Sequence, residues 1–243
     1  MTTYRAWNLK PLDRSALKEL TAAIAQQSTE ELENRAMETM DGEPWSEEKY
    51  QMTLAAQQKE AGLLAGILAA RGITDPAEAL TLLSGEEELT DPMLLTDMDK
   101  ACARILDAID REETIVVFGD YDVDGVTATA LLYQHLKGMG ANVKCMLPSR
   151  EGDGYGLSKN AIQSIHDKGC QLIVTVDNGI SALEEAEFAA SLGVDLIVTD
   201  HHLPHDTLPK AVAVVDPRRA DDTSPFKGLC GAGVAFKLCA ALD

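Results

Sequence analysis

A chain of 243 residues, 45% hydrophobic and 5% aromatic, is long enough for one large domain, or for one domain with a helical extension. No apolar run approaches the roughly 20 residues of a membrane span, and the opening M-T-T-Y-R-A-W-N-L-K lacks the apolar core of a signal peptide. The formal charge of −19 is spread over both halves of the chain, which argues against a broadly basic, groove-tracking surface.

Residues 1–111 read as an all-helical extension. Asp13 caps a helix reaching Gln26, with Leu17, Leu20 and Ile24 on its apolar face, and Ser28 or Thr29 opens a second helix toward Met40. The D-G-E-P run at 41–44 marks a turn. A long helix over 45–70 stops at Arg71-Gly72. Asp75-Pro76 pairs a cap with proline at the first helical position, and Gly85 ends that helix. Thr96 or Asp97 starts another helix through Ile109. Nothing in this region carries chemistry, so it reads as scaffold.

From Thr114 the pattern changes to strand, turn and helix in repetition. Strands are expected over 114–118, 142–147, 172–176, 196–199 and 212–215, with helices over 126–137, 158–168 and 181–192. Ser181 and Glu184 form a capping-box pattern, while Gly140, Gly169 and Gly193 occupy helix-ending positions. The fold class is therefore α/β: a mostly parallel sheet of five or more strands, with helices on both faces, over residues 112–243.

In such sheets ligands bind beyond the carboxyl ends of the strands, and here those ends are acidic. The first delivers Asp120, Asp122 and Asp124 in D-Y-D-V-D-G. The third delivers Asp177 in V-D-N-G-I, the fourth Asp200, His201 and His202 in T-D-H-H, and the fifth Asp216 in V-D-P-R-R. Three acids within five residues repel one another, and no Lys or Arg lies among them. Hard carboxylate oxygens at this density call for divalent cations such as Mg²⁺ or Mn²⁺. The competing reading, a solvated acidic turn, does not explain acids or histidines at four strand ends of one polarity.

In this order the motifs resemble the DHH phosphoesterase superfamily. G-D-Y-D-V-D-G-V-T-A-T-A-L-L, the P-S-R-E-G-D-G-Y-G-L-S loop and P-F-K-G-L-C-G-A-G-V-A-F-K-L are similar to the RecJ family of single-strand-specific 5′→3′ exonucleases within it, over roughly residues 60–243. The resemblance implies two divalent cations, Mn²⁺ or Mg²⁺, held about 3.5–4 Å apart around an in-line displacement. Asp122 and Asp124 would each ligate one of them, Asp177 would bridge them and His201 would be a further ligand. His202, with Asp200, is assigned to catalysis, stabilising charge on the scissile phosphate. Arg150 matches a position that contacts DNA phosphate, where a guanidinium engages two oxygens at once. Tyr155 either stacks on a base or packs. The implied partners are single-stranded DNA and a single-strand-binding protein or helicase, in DNA repair and recombination, with no membrane.

Two departures from the family pattern stand out. A histidine often found four residues before the first ligand aspartate is here Phe118, so Asp120 is a candidate substitute or an outer partner of the metals. A fourth metal-binding motif, A-D-V, has no counterpart before Asp243, which implies a fragment with impaired activity of its own. Two alternatives remain. One is a non-catalytic module of RecJ type. The other is a DHH phosphodiesterase for oligonucleotides or cyclic dinucleotides, against which the G-Y-G-L-S loop speaks. D-V-D-G-V-T also resembles the nucleophile motif of aspartyl-phosphate hydrolases, which need no D-H-H pair.

His135 and His166 read as scaffold, His205 as at most an outer neighbour of the site and Asp216 as a turn residue. Gly231-Ala232-Gly233 could seat a phosphate at a helix N-terminus. Cys102, Cys145, Cys170, Cys230 and Cys239 contain no C-x-x-C pair and read as reduced thiols of a cytoplasmic protein, mostly core filler.

Overall fold

A computed structural model describes residues 13–37, 46–85, 89–148 and 156–243. Its contacts divide the chain into two compact units, one ending at Leu89 and one spanning Thr90–Asp243. The expected boundary lay near residue 111.

The first unit is helical: α1 (Arg14–Met37), α2 (Glu47–Ala70) and α3 (Pro76–Ser84). Leu20, Ile24, Ala61, Ala65, Leu68 and Ala79 form its small core. Asp13 caps α1 by accepting from Ser15 N at 2.8 Å. The two helices expected on either side of Ser28 are one. Thr29 Oγ1 donates back to Ala25 O at 2.8 Å, so its hydroxyl is spent within the helix rather than capping a new one. Asp75 caps α3 through Glu78 N at 2.9 Å, and Gly85 ends it with φ 68°. The turn expected at 41–44 lies outside the described residues.

The second unit contains α4 (Met98–Asp110), β1 (Thr114–Phe118), α5 (Val123–Gly138), β2 (Asn142–Met146), α6 (Lys159–His166), β3 (Leu172–Val176), α7 (Leu183–Ser191), β4 (Asp195–Thr199), β5 (Ala213–Val215) and α8 (Gly231–Leu242). All five strands are parallel, in the order β2-β1-β3-β4-β5. Alternation along the strands divides the core. Ile115, Val117, Val174, Ile197 and Val215 pack under α4, α5 and α8, together with Met98, Ile105, Leu132 and Leu238. Val116, Phe118, Ile173, Val198 and Val214 face α6 and α7, meeting Ile162, Ile165, Ala186 and Ala189. Since α4 buries its apolar face in this core, it belongs with the sheet.

α4 starts where expected, with Asp97 at its N-cap position, although at φ 65° the Asp97 carboxylate takes Arg219 Nη1 at 2.7 Å and Lys100 Nζ at 2.5 Å instead of a helix amide. Two local expectations differ from the structure. α5 starts at Val123, not Val126, because Asp122 caps it, so Asp124 falls in its first turn. The Ser181–Glu184 capping box does not form. Ala182 is the N-cap of α7, and Glu184 reaches Lys159 Nζ at 2.6 Å. Among the described residues no helix is long and apolar enough to cross a membrane. Cys102, Cys170 and Cys239 are buried, Cys145 and Cys230 exposed, and all five thiols are free.

Candidate metal centre

The strand order reverses between β1 and β3, and the crevice beyond their carboxyl ends is where doubly wound sheets bind ligands. Asp120 leaves β1 into this crevice and is wholly buried, with Oδ1 accepting from Tyr121 N at 2.7 Å and Oδ2 buried without a hydrogen bond. It lies flat against Gly125, where a Cβ would stand 2.6 Å from the Asp120 N and O atoms. Only glycine permits that approach. Asp122 accepts from Gly125 N at 2.9 Å. Asp124 lies across the start of α8, accepting from Gly231 N and Ala232 N, each at 2.7 Å.

Asp177 follows β3 with φ 62°, a left-handed conformation that is uncommon outside glycine. Its side chain is 1% exposed, and neither carboxylate oxygen has a hydrogen bond. His201 Nε2 stands 3.0 Å from Asp177 Oδ1 and 3.5 Å from Asp124 Oδ2, contacts of distance rather than hydrogen-bond geometry. Asp200, also buried, organises the turn after β4. Its Oδ1 accepts from His201 N at 2.7 Å and His202 N at 3.2 Å and lies 2.7 Å from His202 Nδ1, while Oδ2 accepts from Ile180 N at 3.0 Å.

Among the described residues two sets of possible ligand atoms result, each gathered within 4.8 Å: Asp120, Asp122 and Asp177 in one, Asp177, His201 and His202 in the other. Asp177 belongs to both. Burial, then the charges of Asp124 and Asp122, push its carboxyl up to about 7. Burial and the neighbouring His202 lower His201, which favours the neutral imidazole that ligates metal. Burial works against charge on His202 too, but the hydrogen bond and charge of Asp200 outweigh it and raise its pKa. Buried oxygens without partners, mutually repelling acids and a neutral imidazole are a donor set that fits hard divalent cations.

The sequence of this unit matches the model of the DHH family, N-terminal domain, over residues 114–243. The chain belongs to the DHH family. The single-stranded-DNA-specific exonuclease RecJ of Bacillus subtilis (strain 168) is 43% identical over 192 residues, covering 78% of this chain and 24% of that protein. Its namesake from Escherichia coli (strain K12) is 42% identical over 181 residues, covering 74% of this chain and 31% of that protein. A crystal structure of exonuclease RecJ bound to manganese superposes with a TM-score of 0.56 at 38% identity, over 61% of this chain and 37% of its own. The structure of RecJ in complex with Mn²⁺ from Thermus thermophilus gives 0.59 at 32% identity, over 74% of this chain and 25% of its own. The chain thus spans about a quarter to a third of the length of these two curated relatives.

Within this DHH domain, Asp120, Asp122, Asp124, Asp177, Asp200, His201 and His202 converge at one crevice. Asp120 shares one set of ligand atoms with Asp122 and Asp177, whereas Asp124 is the acid bonded to the start of α8. Arg150 and Tyr155 lie outside the described residues. Phe118 is wholly buried on the α6/α7 side, and its carbonyl accepts from Asn178 Nδ2 at 3.2 Å. The glycine-rich start of α8, read as a phosphate seat, already holds the Asp124 carboxylate. Asp216 is a turn residue, as expected, and belongs to neither ligand set, but its burial was not foreseen. It is wholly buried, takes Arg218 N on Oδ1 at 2.7 Å, leaves Oδ2 unpartnered, and is pushed up to about 7 by burial and by Asp200. Its place at a fourth acidic strand end was the available signal. Arg219 is a strut, bonded to Asp97, Asp221 and the Val214 carbonyl. His135 and His166 sit beside Asp243 and Asp167 and belong to neither ligand set.

Proposed function

We propose that this chain carries the metal-binding part of a single-strand-specific 5′→3′ DNA exonuclease, using two divalent cations, Mn²⁺ or Mg²⁺, to hydrolyse phosphodiester bonds. The observation that carries the reading is Asp177, buried, shared by both sets of ligand atoms and lacking a hydrogen bond on either oxygen. A carboxylate in that position suits two cations at once and is costly with none. Asp120, Asp122, Asp124 and His201 would complete their coordination. Bound there, the cations would supply an activated water and neutralise the attacking and leaving oxygens.

The chain's own groups do the rest. Asp200 holds the imidazole of His202 through Nδ1, so that Nε2 is the nitrogen that would donate to a phosphoryl oxygen as charge develops on it. A cavity of about 250 Å³ opens beside His202, lined by Gly156, Leu157, Asn178, Ser181 and Glu185, with room for part of a nucleotide. Arg150 would take the DNA phosphate bidentately, with Tyr155 stacking on a base. A single-strand-binding protein or helicase is the partner this reading implies, and the free thiols suit the cytoplasm.

The test is a 5′-phosphorylated single-stranded oligonucleotide, its duplex and a 3′-labelled copy, each incubated with Mn²⁺ and protein. Weak stepwise shortening of the single strand from its 5′ end is expected, absent in EDTA and in Asp177→Asn. A protein that binds Mn²⁺ yet degrades duplex equally, or works from the 3′ end, would overturn the assignment.

A further inference from the structure

Asp124 meets α8 across 107 residues of sequence, and its two carboxylate oxygens are divided between the first two amides of that helix, Gly231 N and Ala232 N. The same turn touches the second acid of the site. A Cβ built on Gly231 would stand 2.5 Å from Asp177 Cβ and 2.5 Å from Asp177 Oδ1, a separation that carbon and oxygen do not tolerate. One helix end therefore contacts both Asp124 and Asp177, by two charge-assisted hydrogen bonds on one side and by main-chain contact without slack on the other.

The seat of the helix is rigid. Val234, Ala235 and Leu238 are wholly buried against Ala128, Leu132 and Leu136 of α5. Further along, Lys237 is only 5% exposed and bonds the carbonyl and hydroxyl of Thr90. α5 in turn carries Asp124 and is capped by Asp122. Helix and acids thus form one packed body, in which a displacement of α8 moves the carboxylates.

From this we infer that the N-terminus of α8 is the positioning element of the acid cluster, with Gly231 as its determining residue. The amides of Gly231 and Ala232 fix the rotamer of Asp124. The bare main chain of Gly231 sets how deep Asp177 sits, holding both acids at the spacing a pair of cations requires. The inference rests on the metal-dependent reading above and goes beyond it by assigning the geometry to a helix that supplies no ligand of its own. Gly231 is at a helical position without positive φ, so alanine there is acceptable to the backbone, and what its Cβ meets first is the Asp177 side chain.

The experiment compares wild type, Gly231→Ala and Gly233→Ala for Mn²⁺ binding, by titration calorimetry and by electron paramagnetic resonance of the bound ions. Gly233 is the control, because its Cβ would come closest to the free end of Leu229 at 3.2 Å, with Leu229 Cβ and Cys230 Sγ at ordinary contact distances of 3.5 and 3.7 Å and no site acid among these neighbours. In wild type and Gly233→Ala, two ions about 3.5–4 Å apart should give an exchange-coupled spectrum. In Gly231→Ala the coupled spectrum should disappear and affinity should fall about 10–100-fold, with circular dichroism unchanged. Should Gly231→Ala not fold, the wild type still decides. On adding diamagnetic Mg²⁺, the amide protons of Gly231 and Ala232 should shift more than those of any other α8 residue. Wild-type affinity and coupling in Gly231→Ala, or uniform amide shifts along α8, would overturn the inference while leaving the exonuclease reading intact. A wild type that binds no Mn²⁺ would overturn both.

Discussion

Asp200 grips His202 at two points, with the same Oδ1 accepting from its main-chain N and lying 2.7 Å from its ring Nδ1. The carboxylate is wholly internal, whereas the ring it holds is 45% exposed toward the crevice. An oriented imidazole with a buried carboxylate behind it keeps one tautomer and a raised affinity for its proton. Asp200→Asn preserves the shape but exchanges one acceptor for a donor. The His202 pKa, followed by NMR titration, should fall, and turnover on single-stranded DNA should drop by about 100-fold or more. An unchanged titration would remove Asp200 from this role.

Metal binding should appear as stability. Clustered acids that are relieved of their repulsion stabilise the fold by mass action, about 2.7 kcal/mol at a cation concentration 100 times Kd. A thermal melt in Mn²⁺ should therefore lie several degrees above the melt in EDTA. Asp177→Asn, which keeps a side chain that tolerates positive φ, should lose most of that gain. An equal gain in the variant would place the cation elsewhere.

In EDTA, stability should decline from pH 5 to pH 8. Asp177 and Asp216 are raised from an ordinary 3.8 to about 7 in the folded protein. Their contribution is complete below about pH 4 and is lost as pH rises through 7, because the unfolded chain releases those protons first. His202, also raised, acts in the same sense, and His201, lowered, acts against it. Melts of wild type and Asp177→Asn/Asp216→Asn across this range should show the slope flatten in the double variant. Mn²⁺ affinity should rise over the same interval, since binding must displace the proton on Asp177.

Two glycines of α5 should respond oppositely to alanine. At Gly125 the new methyl would fall 2.6 Å from the Asp120 backbone, so several kcal/mol of destabilisation is expected, about 3 or more. At Gly138 a Cβ meets nothing within 4 Å, and Gly138→Ala should stabilise by about 0.5–1 kcal/mol. Urea melts of both variants decide the matter, and equal effects would contradict the packing around Asp120.

Arg150→Ala should weaken single-stranded DNA binding and lower its salt dependence by about one phosphate contact. Binding measured at several salt concentrations provides the slope. A slope equal to the wild type would remove Arg150 from this role.

Much of this protein is written locally. The β-branched run at 114–118, broken by Gly119, and the similar run at 172–176 form strands at those bounds because burial on both faces needs only contiguous apolar residues. Gly140, Gly169 and Gly193 end helices with positive φ for an equally local reason. The acids of D-Y-D-V-D-G and the D-H-H turn were legible as a site because strands of one polarity carry their ends to one edge. What the sequence could not show depends on partners distant along the chain. Thr29 looks like a cap until its hydroxyl finds Ala25 O, and α4 looks like part of the helical extension until its apolar face meets the sheet. Asp216 becomes a buried acid only where Asp200 and Arg218 close around it. Asp124 sits two residues from Asp122 in the chain, yet its carboxylate belongs to amides 107 and 108 residues away. Residue types and spacing determine which groups reach the crevice, since that follows from strand and helix period alone. Which oxygen stays bare for a cation and which is taken by a helix end was decided by tertiary packing, because α8 must bury Val234 and Leu238 before Gly231 can meet Asp177.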